Sequence, residues 1–155
     1  MLVLNEYIYL QIMIVRLIDY TSPDYAAMID LRMDVLLNPI GIPRSYINTE
    51  LEKEHLLIGA FENNELIGCC ILTPIDEGLI QLRQMAVSVK HQKKLIGSQI
   101  LSFAESTAKK AGYQVIMMHA RDVVIEFYRK NGYEIKGRQF FEVGIAHHRL
   151  EKQLK

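Results

Sequence analysis

A chain of 155 residues is the size of one domain, long enough to bury roughly two thirds of its unfolded surface around a single core. Its 18 basic and 18 acidic residues cancel, so no global field draws it to nucleic acid or to an anionic membrane, and any anion site must be assembled locally. No apolar run reaches the roughly 18 residues of a membrane span.

Taken in order, the apolar start from Met1 to Ile14 carries Glu6, lacks a basic leader and shows no small-residue cleavage pattern, so it is not read as a signal peptide. Residues 1–12 are expected to be an extension of a single domain covering 1–155, as an extra strand, a packing arm or a tail. Ile14 to Ile18 alternates as a first strand. Thr21-Ser22-Pro23-Asp24 starts a helix, with Ser22 as N-cap and Pro23 in the first turn. It runs to about Leu36, with Tyr25, Met28, Ile29, Met33 and Leu36 on its apolar face and Asp30, Arg32 and Asp34 mostly off it. Asn38 to Pro43 breaks the helix, and a helical turn is expected within Ile47 to Glu54. Strands at His55 to Phe61 and Leu66 to Thr73 flank an Asn63-Asn64 hairpin turn. After Pro74 to Gly78, Leu79 to Val87 is a third strand of that meander. Ile96, Ile100, Leu101, Ala104, Ala108 and Ala111 recur at helical spacing up to Gly112. Tyr113 to Ala120 is nearly all apolar, as a strand covered on both faces would be, and strand, helix, strand implies a parallel pair. A further helix, Asp122 to Lys130, closes at Asn131-Gly132, and two late strands follow around Phe140 to His147. Cys69 and Cys70 are adjacent, point to opposite faces of a strand and cannot tie distant parts of the chain, which fits a reducing, cytoplasmic setting.

Leu79 to Ala111 carries the chemistry. The strand enters a basic loop (Lys90, His91, Gln92, Lys93, Lys94) and then a helix opening at Leu95-Ile96-Gly97-Ser98. A first helical turn leaves N–H groups unpaired at the positive end of the dipole, so this junction suits a phosphorylated ligand. Gly-x-x-x-x-Gly-Lys-Ser/Thr is absent, and Gly97 alone makes no Gly-x-Gly-x-x-Gly fingerprint. The residues resemble the GNAT acyltransferase superfamily instead. Its acyl-CoA signature, Gln/Arg-x-x-Gly-x-Gly/Ala after a strand, is matched by Gln92-Lys93-Lys94-Leu95-Ile96-Gly97 following Met85-Ala86-Val87-Ser88. Leu95 is a departure, standing where the family usually has glycine and where a Cβ bears on how closely the backbone approaches a pyrophosphate. A second motif, Phe127-Tyr128-Arg129-Lys130-Asn131-Gly132-Tyr133, is similar to the family's Phe-Tyr-x-Lys-x-Gly-Phe/Tyr.

The resemblance implies an α/β (α+β) fold with a mixed, mostly antiparallel sheet of six to seven strands, about four helices, and a splay at the central parallel pair. It also implies acetyl-CoA as co-substrate. Backbone groups of Met85, Ala86 and Val87 would pair with its pantetheine arm, and Gln92, Lys93, Lys94, Leu95, Ile96, Gly97 and Ser98 would take its pyrophosphate. Tyr128 stands at the position whose tyrosine often protonates the leaving thiolate, and a backbone N–H near Val87 would meet the oxyanion. For the base, Glu142 and His147 rank ahead of His119. Each is equally compatible with a structural role, and an acceptor that arrives deprotonated, or a water chain, needs no base. His147-His148 and Cys69-Cys70 lack ligand spacing, so no metal is expected. The implied function is transfer of acetyl to a primary amine of a small molecule or peptide. The alternative is a non-catalytic acyl-CoA-binding or interaction module on the same fold, and the apolar N-terminus and late strands leave room for a homodimer.

Overall fold

The computed structural model describes residues 13–92 and 95–155. The expected extension over residues 1–12 lies outside them, as do Lys93 and Lys94. Strands β1 (Met13–Leu17), β2 (Leu56–Glu62), β3 (Glu65–Pro74), β4 (Leu79–Val87), β5 (Val115–Arg121), β6 (Glu134–Glu142) and β7 (Ile145–Gln153) form one sheet in the order β1-β2-β3-β4-β5-β7-β6. Its pairings are antiparallel except for β4 with β5, the mixed arrangement expected from the sequence. Helices α1 (Pro23–Arg32), α2 (Thr49–Glu52), α3 (Ile96–Lys110) and α4 (Ile125–Lys130) cover it. Among the described residues, no helix is long and apolar enough to cross a membrane.

Local chemistry explains most boundaries. Asn63 and Asn64 both adopt positive φ, 50° and 66°, the turn geometry whose twist matches a hairpin and which asparagine tolerates. Ile96, Ile100, Leu101, Ala104 and Ala108 form the buried stripe of α3. That helix comes close to the sheet at Gly68, where a Cβ would stand 2.6 Å from Ile100 Cδ1. On β5, Ile116, Met118 and Ala120 join the core beneath α3 and α4. Cys70 points into this layer and Cys69 into the α1 layer. Both are free thiols, and burial pushes Cys69 up to about 12, so neither is a ready nucleophile.

Two expectations about α1 change. Ser22 occupies the N-cap, but its side chain makes no cap bond; its hydroxyl donates to Asp19 O at 2.7 Å, closing the preceding turn instead. Arg32, read from sequence as lying off the apolar face, is 2% exposed. It stands four residues after Met28 and seven after Tyr25, on the buried stripe, and its charge is met from α2. Arg32 Nη1 and Nη2 donate to Glu52 Oε1 and Oε2, each at 2.8 Å, and Tyr25 Oη donates to Glu52 Oε1 at 2.6 Å. Burial alone would raise the Glu52 carboxyl, but the bonds from Arg32 and Tyr25 outweigh it and hold it below its ordinary 4.5.

A buried pair stripped of one partner leaves an uncompensated charge, so Arg32→Met should cost about 3–5 kcal/mol in urea unfolding. A loss under about 1 kcal/mol would mean that water reaches Glu52. Because the folded carboxyl lies below its ordinary 4.5, its share of stability is complete above that value and lost as pH falls through the folded one. Acid titration of unfolding should therefore show wild type losing its advantage over Arg32→Met in that window.

Candidate active site

The site begins where a ladder stops. β4 and β5 pair in parallel only at Leu79–Val115, Ile80–Ile116 and Gln81–Met117, whereas β5 keeps pairing with β7 as far as Arg121. Leu82 to Val87 on one side and Met118 to Arg121 on the other therefore face each other across an opening. A bulge in β4 accompanies the parting: its register against β3 shifts between Cys69 and Ile71, and opposite that shift Gln84 takes φ of 55°. Extra residues of this kind bend a strand and increase its twist. Arg32 Nε lies 3.4 Å from Gln84 Oε1, so the buried ion pair of α1 and α2 touches the bulge. Backbone groups left free on an internal strand must be satisfied by something, and an extended amide-bearing ligand arm fits them.

The floor of the opening leads into the basic loop. Gln92 Nε2 donates to Val87 O at 3.0 Å and Ser88 N to Ile67 O at 2.8 Å, which draws the loop back over the end of β4. Gln92 thus closes the turn, and the N–H groups of Ile96 to Ser98 open α3. Leu95, the departure from the family pattern, takes φ 62° and ψ 12° and is 74% exposed. This is the left-handed conformation that favours glycine. Gly97 has a different reason to be glycine: a Cβ there would stand 3.0 Å from Phe127 Cζ, so its missing side chain lets α3 meet α4.

Tyr128 lies on α4 in the core layer that includes Ile96, Met118 and Ala120, packed edge-on to Phe127 and Tyr133 at 5.0 and 5.8 Å. Burial raises its phenol well above the ordinary 10.0, so it stays protonated at neutral pH. On the other face of β5, Arg121 Nη2 donates to Leu36 O at 3.1 Å, tying this strand to the π-helical turn Met33–Leu37 that continues α1. His119 shares that face. Its Nδ1 is 2.7 Å from Glu142 Oε1, and Glu142 Oε2 is 3.9 Å from His147 Nε2. Phe140 packs edge-on to His119 at 5.0 Å and stacks on His147 at 5.9 Å. His148 turns the other way and pairs with Asp122 at 2.7 Å. Among the described residues, no group of three or more His, Cys, Asp or Glu could hold a metal ion.

Glu142 and His147 are thus brought together, and His119 joins them. Met85, Ala86 and Val87 line the parted edge, though the Ala86 side chain is buried in the α1 layer. Nothing local in the sequence marks the Gln84 bulge or the Arg32–Glu52 pair beneath it, apart from the spacing of Arg32 from Tyr25 and Met28.

Residues 25–133 match the model of the Acetyltransferase (GNAT) family. The chain is 23% identical over 119 residues to a Xenopus tropicalis protein named Probable N-acetyltransferase 14, covering 74% of this chain and 57% of the relative; it therefore spans little more than half of that protein. A crystal structure of a Lactobacillus plantarum protein regarded as an N-acetyltransferase superposes with TM-score 0.84 at 19% identity, covering 92% of this chain and 99% of the other. A GNAT family acetyltransferase from Elizabethkingia anophelis with acetyl-CoA bound gives TM-score 0.72 at 23% identity over 92% and 98%.

The left-handed strain at Leu95 sets a test. Relief of roughly 1–2 kcal/mol, less about 0.4–1 for the freer unfolded glycine, predicts that Leu95→Gly is more stable by about 0.5–1 kcal/mol. Chemical denaturation should show a higher midpoint at unchanged slope, and a lower midpoint would mean the side chain contributes packing that outweighs the strain.

Proposed function

The chain belongs to the GNAT acetyltransferase family, and from that premise we propose that it transfers the acetyl group of acetyl-CoA to a primary amine by direct attack. The observation that carries the reading is the parting of β4 from β5, with a protonated, buried Tyr128 on one side of it and the start of α3 below. Acetyl-CoA supplies an activated thioester; the chain's own groups bind, orient and manage protons. The edge of β4 at Met85, Ala86 and Val87 that β5 leaves open, with the Val87 carbonyl already met by Gln92, takes the pantetheine amides as an added strand. The pyrophosphate meets the turn from Gln92 through Lys93, Lys94, Leu95, Ile96 and Gly97 to Ser98, where helix N–H groups and lysine charge favour an anion. A backbone N–H near Val87 meets the developing oxyanion.

Tyr128 is the general acid. An acid that must hold its proton until the C–S bond breaks is served by burial, because desolvation disfavours the phenolate until the thiolate is there to receive the proton. Glu142, His147 and His119 form the acceptor side, on the other face of the sheet. The acceptor is a primary amine of a small molecule or peptide. The two buried free cysteines support a cytoplasmic setting.

Thermal-shift titration with acetyl-CoA, CoA, ATP and NAD tests the ligand. At about 100 times its dissociation constant, a ligand specific for the native state adds roughly 2.7 kcal/mol; both CoA species should stabilise the protein, and ATP and NAD should not. Thiol release tests catalysis. Tyr128→Phe should lower kcat by roughly 100-fold or more, while a protein that binds CoA and releases no thiol with any amine would be a binding module.

A further inference from the structure

The face of β5 turned toward α1 holds a histidine with one ring nitrogen left free for proton transfer. His119 lies two positions beyond the last pair with β4, inside the parted stretch. A carboxylate only accepts hydrogen bonds, so the 2.7 Å contact with Glu142 Oε1 puts the proton on Nδ1; in the neutral ring, Nε2 then presents its lone pair. Phe140, edge-on at 5.0 Å, holds the ring from another side. The two neighbours are worse placed for the task. The His147 side chain is 7% exposed and its Nε2 faces Glu142 Oε2 at 3.9 Å, while Glu142 has committed Oε1 to His119. The His119 side chain is 32% exposed, so its free nitrogen is within reach of an incoming molecule.

We propose that His119, oriented by Glu142, is the general base of the transfer, an assignment that rests on the acetyl-CoA reading above. As the amine nitrogen bonds to the thioester carbon, its proton passes to His119 Nε2. The tetrahedral intermediate collapses, the C–S bond breaks, and the sulfur takes its electron pair and the proton of Tyr128 Oη. Water returns a proton to Tyr128 and His119 gives its own to solvent, so amine and thioester become amide and thiol with no other reactant. Side chains alternate along β5, with Met118 and Ala120 in the layer of Tyr128 and His119 opposite them. Base and acid therefore occupy opposite faces: the amine arrives from the α1 side and the thiol leaves toward α4. Glu142 does not meet the amine; it is a positioning residue that fixes the tautomer.

Histidine 15N spectra of the full chain give a readout independent of any acceptor. The signals lost in His119→Gln should have the Nδ1–H pattern in wild type. In Glu142→Ala, which removes the acceptor from Nδ1, they should shift toward the Nε2–H pattern that free imidazole side chains favour. In thiol-release assays with acetyl-CoA and a panel of spermidine, kanamycin and a lysine-containing peptide, His119→Gln should lower kcat by roughly 100-fold or more at unchanged KM for acetyl-CoA. Imidazole should restore part of the rate to His119→Ala. An Nε2–H pattern at His119 in wild type, or wild-type kcat in His119→Gln, would overturn the base. Wild-type protein that binds acetyl-CoA but releases no thiol across the panel would instead overturn the transferase reading, and the base with it.

Discussion

The parting of β4 from β5 is the constraint on which the rest depends. Parallel strands usually continue side by side, since an unpaired internal edge leaves N–H and C=O groups without partners. Here the pairing ends at Gln81 and Met117, because β4 carries a bulge and a residue of positive φ while β5 stays committed to β7. The opening is therefore built into the backbone, and in the proposed reading the amides of a ligand complete the ladder the strands abandon. Loop, helix start and proposed acceptor face take their places from it.

The bulge is held from beneath. Arg32 and Glu52 are both desolvated, a pairing that rarely adds net stability compared with well-packed apolar residues. Its position accounts for it better than its energy does: Arg32 reaches Gln84 as well as Glu52, joining α1, α2 and the bent strand in one polar cluster. Gln84 and Leu95 are non-glycine residues at positive φ on either side of the expected cofactor path. Strain of that kind persists where surrounding contacts over-determine the backbone, and at Gln84 the contacts are visible: Arg32 on its side chain and the Cys69 thiol 3.7 Å from its carbonyl.

In the proposed mechanism, alternation along β5 divides the chemistry. Tyr128, on α4, sits in a dry layer shared with α3 and β5, where loss of solvent keeps its proton in place. The His119–Glu142 pair sits on the other face, half open to water, where the proposed amine would arrive. In the proposed mechanism β5 keeps the two proton transfers apart, with His119 on one face and Met118 and Ala120 on the other packing in the layer of Tyr128 from α4.

Period and punctuation in the sequence determined the elements, their order and the mixed sheet: α3 shows in its apolar stripe, the β2–β3 turn in Asn63-Asn64, and the parallel pair in strand, helix, strand. Two motifs located the loop and Tyr128. These features are local, each decided by neighbours within a turn or two of chain. Tertiary structure alone decided that Arg32 is buried, that Leu95 is left-handed, that Gly97 makes room for Phe127 and that His119 is bound to Glu142. Residues 32 and 52, 97 and 127, or 119 and 142 meet only after helices pack and strands register, and the spacing of residues along one element carries no record of what another element brings against it.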